Sequence, residues 1–240
     1  MTDMLDRLVP EAYPYVRGKV RLSAAEGELV LDCRDFRDGA VVLALIDRYL
    51  ERFPGADRRA ALSLWTLYYF SHLVISPLLF WLRERRIMAM AMGDTRLCID
   101  GLTGAPAAFL VATEGEIRTD STVFDAMRNA IRDHAEPVIE AMAATGKVSP
   151  KLLWNNLAVY ADWAIREFGA SDEVLRHAAH ELITCQAWPD GWKNPMAGQL
   201  RRETDSDGAC FTRRKICCLR YLVPGVPGCG MICPLPAGRE

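Results

Sequence analysis

Ala60-Ala61-Leu62-Ser63-Leu64-Trp65-Thr66-Leu67-Tyr68-Tyr69-Phe70-Ser71-His72-Leu73-Val74-Ile75-Ser76-Pro77-Leu78-Leu79-Phe80-Trp81-Leu82 is a run of 23 residues without a formal charge, bounded by Arg58-Arg59 and Arg83-Glu84-Arg85-Arg86. Its length alone would let it cross a bilayer. Against that, Ser63, Thr66, Tyr68, Tyr69, Ser71, His72 and Ser76 bring many polar atoms to a lone span, and basic residues on both flanks give no orientation bias. The stretch therefore reads as a buried central helix, bent at Pro77. Asp57 stands where a residue capping its first turn belongs.

Upstream, residues 1 to 35 read as short helical pieces and loop, broken at Pro10, Pro14 and Gly18. From Asp35 to Phe53 apolar residues recur at helical spacing (Val41, Val42, Leu45, Ile46, Tyr49, Leu50) and stop at Pro54-Gly55. Downstream the period changes. Ile87 to Met92, then Thr95 to Asp100 after a Gly93-Asp94 turn, then Ala107 to Val111, predict a small antiparallel sheet at about residues 86-112. Met88, Met90 and Met92 share one face of the first strand as core filling, and Cys98 is a small buried hydrophobe.

From Asp120 the helical period returns, with Phe124, Met127, Ile131, Val138, Ile139 and Met142 in a stripe interrupted at Pro137 and closed at Thr145-Gly146. Ser149-Pro150 opens a helix with a wide apolar face, and Ser171 caps a last one reaching about Ala187. Residues 188 to 212, rich in proline, glycine and charge, predict a connecting loop. The fold class is α+β, predominantly α-helical. It comprises a helical core with a small sheet over residues 1-187 and a C-terminal cysteine-rich segment over residues 188-240, packed on it.

That segment holds the chemistry. Four of eight cysteines, Cys217, Cys218, Cys229 and Cys233, fall in a short stretch spaced C-C-x10-C-x3-C, while Cys33, Cys98, Cys185 and Cys210 are scattered. Glycines and prolines between them let the chain fold back, so four thiolates can meet at a metal. Structural zinc takes two knuckles with spacers, whereas an adjacent Cys-Cys pair suits a [2Fe-2S] cluster, whose ligands are shared between two irons. Zinc, a disulfide and unligated thiols stay open on spacing alone.

The residues around the cysteines resemble the C-terminal signature of the FhuF-like siderophore-iron reductases: Arg213-Arg214-Lys215-Ile216-Cys217-Cys218-Leu219-Arg220-Tyr221, then Pro224, Cys229 and Cys233-Pro234-Leu235. Leu64 to Phe70 with Ser76-Pro77-Leu78-Leu79, and Leu152-Leu153-Trp154-Asn155-Asn156 with Tyr160 and Trp163, are similar too, so the resemblance spans roughly residues 60 to 235. It implies a [2Fe-2S] cofactor held by Cys217, Cys218, Cys229 and Cys233. It also implies one-electron reduction of Fe(III) in a hydroxamate-type siderophore, releasing Fe(II) for iron assimilation. The family's last interval has two residues and this chain has Gly230, Met231 and Ile232, so the loop must bulge or Cys210 must act as the alternate ligand.

Net charge is −2 with 25% charged residues, which gives no support to a nucleic-acid partner. Scattered cysteines and the lack of an apolar leader at Met1-Thr2-Asp3-Met4 point to a reducing compartment, the cytoplasm, with peripheral contact at the inner face of the membrane as an added expectation. Neither a dinucleotide fingerprint nor a Walker A motif occurs, so the electrons would come from a ferredoxin or flavoprotein donor. From Lys193 to Glu240 eight Lys or Arg stand against four acids. Arg213, Arg214, Lys215 and Arg220 are therefore candidates to surround an anionic cluster or substrate, and Trp188 and Trp192, flanking a turn, are candidates beside them. Trp154, Asn155, Asn156 and Trp163 are weighed between lining a groove and packing the core with an asparagine exposed. His134, His177 and His180 read as ordinary histidines, and His72 as a core histidine or one beside the substrate. A zinc-stapled interaction protein and a small electron carrier are the alternative functions.

Overall fold

The computed structural model describes residues 4–169, 171–204 and 207–235. In chain order the elements are β1 (Val20–Arg21), β2 (Leu29–Asp32), α1 (Gly39–Leu50), α2 (Arg58–Glu84), β3 (Arg86–Ile87), β4 (Thr95–Ile99), β5 (Pro106–Val111), β6 (Glu116–Ile117), α3 (Val123–Ala130), α4 (Glu136–Gly146), α5 (Pro150–Phe168), α6 (Glu173–Thr184), β7 (Leu200–Thr204) and β8 (Cys210–Arg214). The charge-free stretch is α2, the helix the others surround, with 89% of its most apolar window buried inside the fold. Asp57 caps it, its carboxylate accepting from the backbone N–H groups of Arg59 and Ala60. The helix runs on past Pro77 and ends where Arg85 turns left-handed (φ 56°).

The sheet is larger than its sequence signal. Its order is β1-β5-β4-β2, with β2-β4 and β4-β5 antiparallel and β1-β5 parallel. The two outer strands come from the N-terminal region read as helical pieces and loop. β1 is two residues long, too short for any alternation to register. The predicted strand at 87–92 shrinks to Arg86–Ile87, which pairs with Glu116–Ile117. Beyond it the Met90 N–H turns back onto Met88 O (3.0 Å), leaving no ladder to join, while Met88, Met90 and Met92 all point into the core.

The interruption expected at Pro137 falls directly before it, and Pro137 sits in the first turn of α4. Between α3 and α4 the chain takes a π turn, Ile131–Ala135, in which the Glu136 N–H reaches Ile131 O. This widening accommodates a residue that can neither donate nor tolerate a close carbonyl one turn back. At the other end of the bundle Asp172, not Ser171, caps α6, accepting from Leu175 N–H at 2.8 Å, and the helix stops at Thr184.

The π turn carries His134 into the core with no exposed surface. Its Nδ1–H donates to Met90 O (2.7 Å), and its Nε2 accepts from Tyr69 Oη (2.5 Å). Burial pushes the imidazole pKa down to about 4. The unfolded chain binds a proton here below pH ~6.5 and the folded chain only near 4, so the stabilising contribution is whole above 6.5 and drains as the pH falls between the two. The loss is about 3 kcal/mol. Denaturant midpoints from pH 7 to 4 should fall more steeply for the native chain than for His134→Gln; parallel profiles would contradict this.

Candidate metal centre and adjoining cavity

Part of the stretch expected as loop, residues 188 to 212, is instead taken into the hairpin strands β7 and β8, with Leu200 opposite Arg214 and Thr204 opposite Cys210. Arg201-Arg202-Glu203 and Thr212-Arg213-Arg214 carry too much charge to read as strands, yet alternation still turns Thr212 and Arg214 inward. The Arg214 side chain is 2% exposed. Its Nη1 donates to Asn155 Oδ1 (3.2 Å) and Asn156 Oδ1 (2.7 Å) on α5. Asn156 Nδ2 in turn donates to Ser63 Oγ and Thr66 Oγ1 on α2 (both 3.1 Å), and the Ser63 hydroxyl donates to Cys218 O at 2.7 Å. Neither asparagine is exposed or lines a groove. Both are buried struts that tie the cysteine segment to the two longest helices.

Among the described residues no carboxylate pairs with Arg214 or Arg220, while Arg201 and Arg213 share Glu203. The buried Nε atoms of Arg214 and Arg220 have no acceptor. A guanidinium taken out of water without a carboxylate demands some other negative charge. The cysteines lie beside it.

After Cys217-Cys218, Leu219 adopts a left-handed conformation (φ 61°), a strained one for a branched residue, and its N–H donates to Cys217 Sγ at 3.3 Å. Cys218 Sγ lies 3.0 Å from Cys229 Sγ, too long for a disulfide. The contact with Cys229 lowers the Cys218 pKa, with help from Arg214 and Arg220, and raises that of Cys229. Burial raises the Cys217 pKa, and Cys218 and Cys233 stand close enough to raise it further. The three-residue interval before Cys233 is absorbed as a 3-10 turn, Gly230–Ile232, closed by Cys233 N–H to Gly230 O (3.0 Å). Such a turn advances about 2.0 Å per residue rather than the 3.3 Å of extended chain. Arg213 Nη1 fastens Cys233 O at 2.6 Å. Among the described residues no three Cys, His, Asp or Glu side chains surround a single point. The one sulfur–sulfur contact among the described residues is Cys218–Cys229, with Cys217 and Cys233 near enough to feel one another's charge.

Cys210 is exposed at the far end of β8, its Sγ 3.8 Å from Thr204 Oγ1. Lys215 is exposed too. Trp188 and Trp192 pack on one another (centroids 4.9 Å apart) and against Phe124, Trp154 and Arg132, away from the cysteines. Asp205, Arg239 and Glu240, part of the tail's charge balance, lie outside the described residues.

Beside the cysteines opens a cavity of about 450 Å³. One wall is α2, with Tyr68, Ser71, His72, Ile75 and Ser76, and another is α5, with Val159, Tyr160, Asp162, Trp163 and Arg166. Tyr15, Val16 and Lys19 close it on the N-terminal side, and Thr212 and Ile232 on the tail side. Ile232 directly precedes Cys233, and Tyr160, whose pKa burial raises, also feels the charges of Arg214, Arg220 and Cys218. The lining thus approaches the cysteine segment at Ile232 and Tyr160, although no cysteine is itself part of it. His72 hydrogen-bonds Pro106 O (3.2 Å), and burial pushes its pKa down to about 3, so it faces the cavity as a neutral ring. Asp162 is held by Arg166 (2.9 Å), with His180 and Arg202 at 3.5 and 3.6 Å. Of this lining, sequence reasoning weighed Trp163 and His72 and quoted Tyr68, Ser71, Ser76 and Tyr160. The α2 wall had one signal, the recurrence of Tyr68, Ser71, His72, Ile75 and Ser76 down one face of the helix.

A family model described as "Ferric iron reductase FhuF-like transporter" matches residues 63–208. The match runs from within α2 through β7 and stops before the clustered cysteines. A curated relative, a ferric siderophore reductase of Escherichia coli (strain K12), is 28% identical over 180 residues, which is 72% of this chain and 65% of the relative's length. The chain therefore spans a little under two thirds of that protein. Among solved structures, aerobactin synthetase IucC from a hypervirulent pathotype of Klebsiella pneumoniae matches with a TM-score of 0.54 at 16% identity, over 72% of this chain and 36% of that one. At such identity the likeness is one of fold.

Proposed function

Since the chain belongs to the FhuF-like ferric iron reductase family, we propose that it reduces Fe(III) held in a hydroxamate-type siderophore, in the cytoplasm, with electrons delivered by a ferredoxin or flavoprotein. The observation that carries the reading is Arg214, a buried guanidinium with an unused Nε and, among the described residues, no carboxylate partner, set against the paired sulfurs of Cys218 and Cys229. A [2Fe-2S] cluster held by Cys217, Cys218, Cys229 and Cys233 would supply single electrons and the missing negative charge. The donor set fits it in its chemistry: four cysteines on one segment, the sulfurs of Cys218 and Cys229 in contact and that of Cys217 already receiving a backbone N–H.

The chain's own residues divide the remaining work. Arg214 and Arg220 bring fixed positive charge to the sulfurs, which favours the more negative, reduced state. The cavity takes the chelate on the other side of Tyr160, and no general acid or nucleophile is needed. One electron passes to Fe(III), and the hard hydroxamate oxygens hold the resulting Fe(II) far less tightly.

Anaerobic reconstitution should yield two irons and two acid-labile sulfides per chain. It should also give an EPR signal after dithionite reduction, and that signal should vanish on adding a ferric hydroxamate. Protein with zinc alone would refute the reading. A reduced centre inert to every ferric chelate would leave only an electron carrier.

A further inference from the structure

We propose that the cavity selects siderophores carrying a free carboxylate, and that Lys19 is the residue that reads it. The inference rests on the cavity being the chelate site and goes beyond it by naming the class of chelate. Lys19 enters the lining just before β1, where Nζ reaches Ala107 O at 3.5 Å. Among the described residues no carboxylate lies within ion-pair distance of it. Glu28, the acid whose charge it feels, is already held by Arg21 at 2.6 and 2.8 Å and by the Ala25 N–H. Asp162, the acid of the lining, is occupied by Arg166, Arg202 and His180. With Arg166 neutralising Asp162, the ammonium is the uncommitted charge of the cavity wall.

Partial desolvation lowers the Lys19 pKa, and its charge reaches the buried His72 ring. An anion in the cavity relieves that cost, whereas an incoming ammonium would meet Lys19 at low dielectric. Tyr15, Tyr160 and Trp163 supply apolar faces for the chelate's body, and Ile232 keeps the iron end beside the cysteines. The proposed substrate is therefore a mixed carboxylate–hydroxamate chelate, the carboxylate directed to Lys19.

Gallium(III) complexes, redox-inert stand-ins for the ferric ones, test binding without turnover. Isothermal titration of the full chain would compare a citrate-derived dihydroxamate with a free carboxylate, a neutral cyclic trihydroxamate, and a linear trihydroxamate with a terminal ammonium. The carboxylate complex should bind about ten-fold tighter than the neutral one, with the ammonium complex weakest. Lys19→Met should erase that order while changing the neutral complex less than about two-fold, and Lys19→Arg should restore it. Equal affinities for all three on the native chain, or a uniform loss with Lys19→Met, would overturn the role of Lys19 while leaving the chelate site in place. If none of the three binds, the cavity is not the chelate site, and both readings fall together.

Discussion

Cys218→Ser is expected to strip the reconstituted protein of its visible absorbance and to lower ferric-hydroxamate reduction at least about 100-fold, the largest loss at any single position. The sulfur is nearly sealed from solvent and lies 3.0 Å from Cys229 Sγ, with Arg214 and Arg220 favouring its ionised form. A serine hydroxyl keeps its proton at neutral pH and offers iron a harder, poorer donor. The Cys218 carbonyl would remain on Ser63, so circular dichroism should show the fold intact. Cys217→Ser is expected to behave alike. Cys210→Ser, at an exposed thiol on the far end of β8, should leave spectrum and rate unchanged. A Cys218→Ser protein that keeps its colour, or a Cys210→Ser protein that loses it, would redraw the ligand set.

What could be read in the chain divides by the range of the forces involved. The central helix was legible because one long charge-free run, a capping aspartate and polar atoms scattered around its faces all point the same way. The crowding of four cysteines was legible for a similar reason, being local. The hairpin β7-β8 was not: its ladder is local, but what makes its charged strands tolerable lies far off in sequence, Arg214 being held by Asn155 and Asn156. A charged strand looks like a loop until its buried partners are known. β1 and β2 failed for the same cause, as their pairing with β5 and β4 crosses most of the N-terminal half. The Asn155-Asn156 pair shows the cost of reading side chains singly. Two adjacent asparagines on a helix suggest a polar face, and only the arrival of Arg214 from β8 makes complete burial tolerable. The family match ends at residue 208, so the helical scaffold carries the relatedness, while the cysteine segment carries the proposed chemistry.

Arg214→Met should separate a strut from an electrostatic partner. Methionine roughly matches the length of the side chain and keeps its apolar packing, but removes the charge and the bonds to Asn155 Oδ1 and Asn156 Oδ1. In iron-free protein two opposed effects meet: two asparagine oxygens lose a donor, and a buried cation lacking a carboxylate disappears, so the net change in stability should be small. In iron-loaded protein the cation faces a multiply negative centre. Removing it there leaves that charge uncompensated, a loss of about 3–5 kcal/mol. The potential should move with it. One charge at ~7 Å and an effective dielectric of ~20 is worth about 2.4 kcal/mol, on the order of 100 mV more negative for a one-electron couple. Arg214→Lys keeps the charge and loses the planar fork, so it should recover most of the potential but little of the bonding to the asparagines. Chemical denaturation with and without iron, together with a redox titration of the loaded forms, checks both effects. An equal loss of stability in both states with an unmoved potential would make Arg214 a hinge pin for α5 and β8 alone. The buried guanidinium would then be explained by packing, and the case for a negative centre beside Cys218 and Cys229 would lose its strongest support.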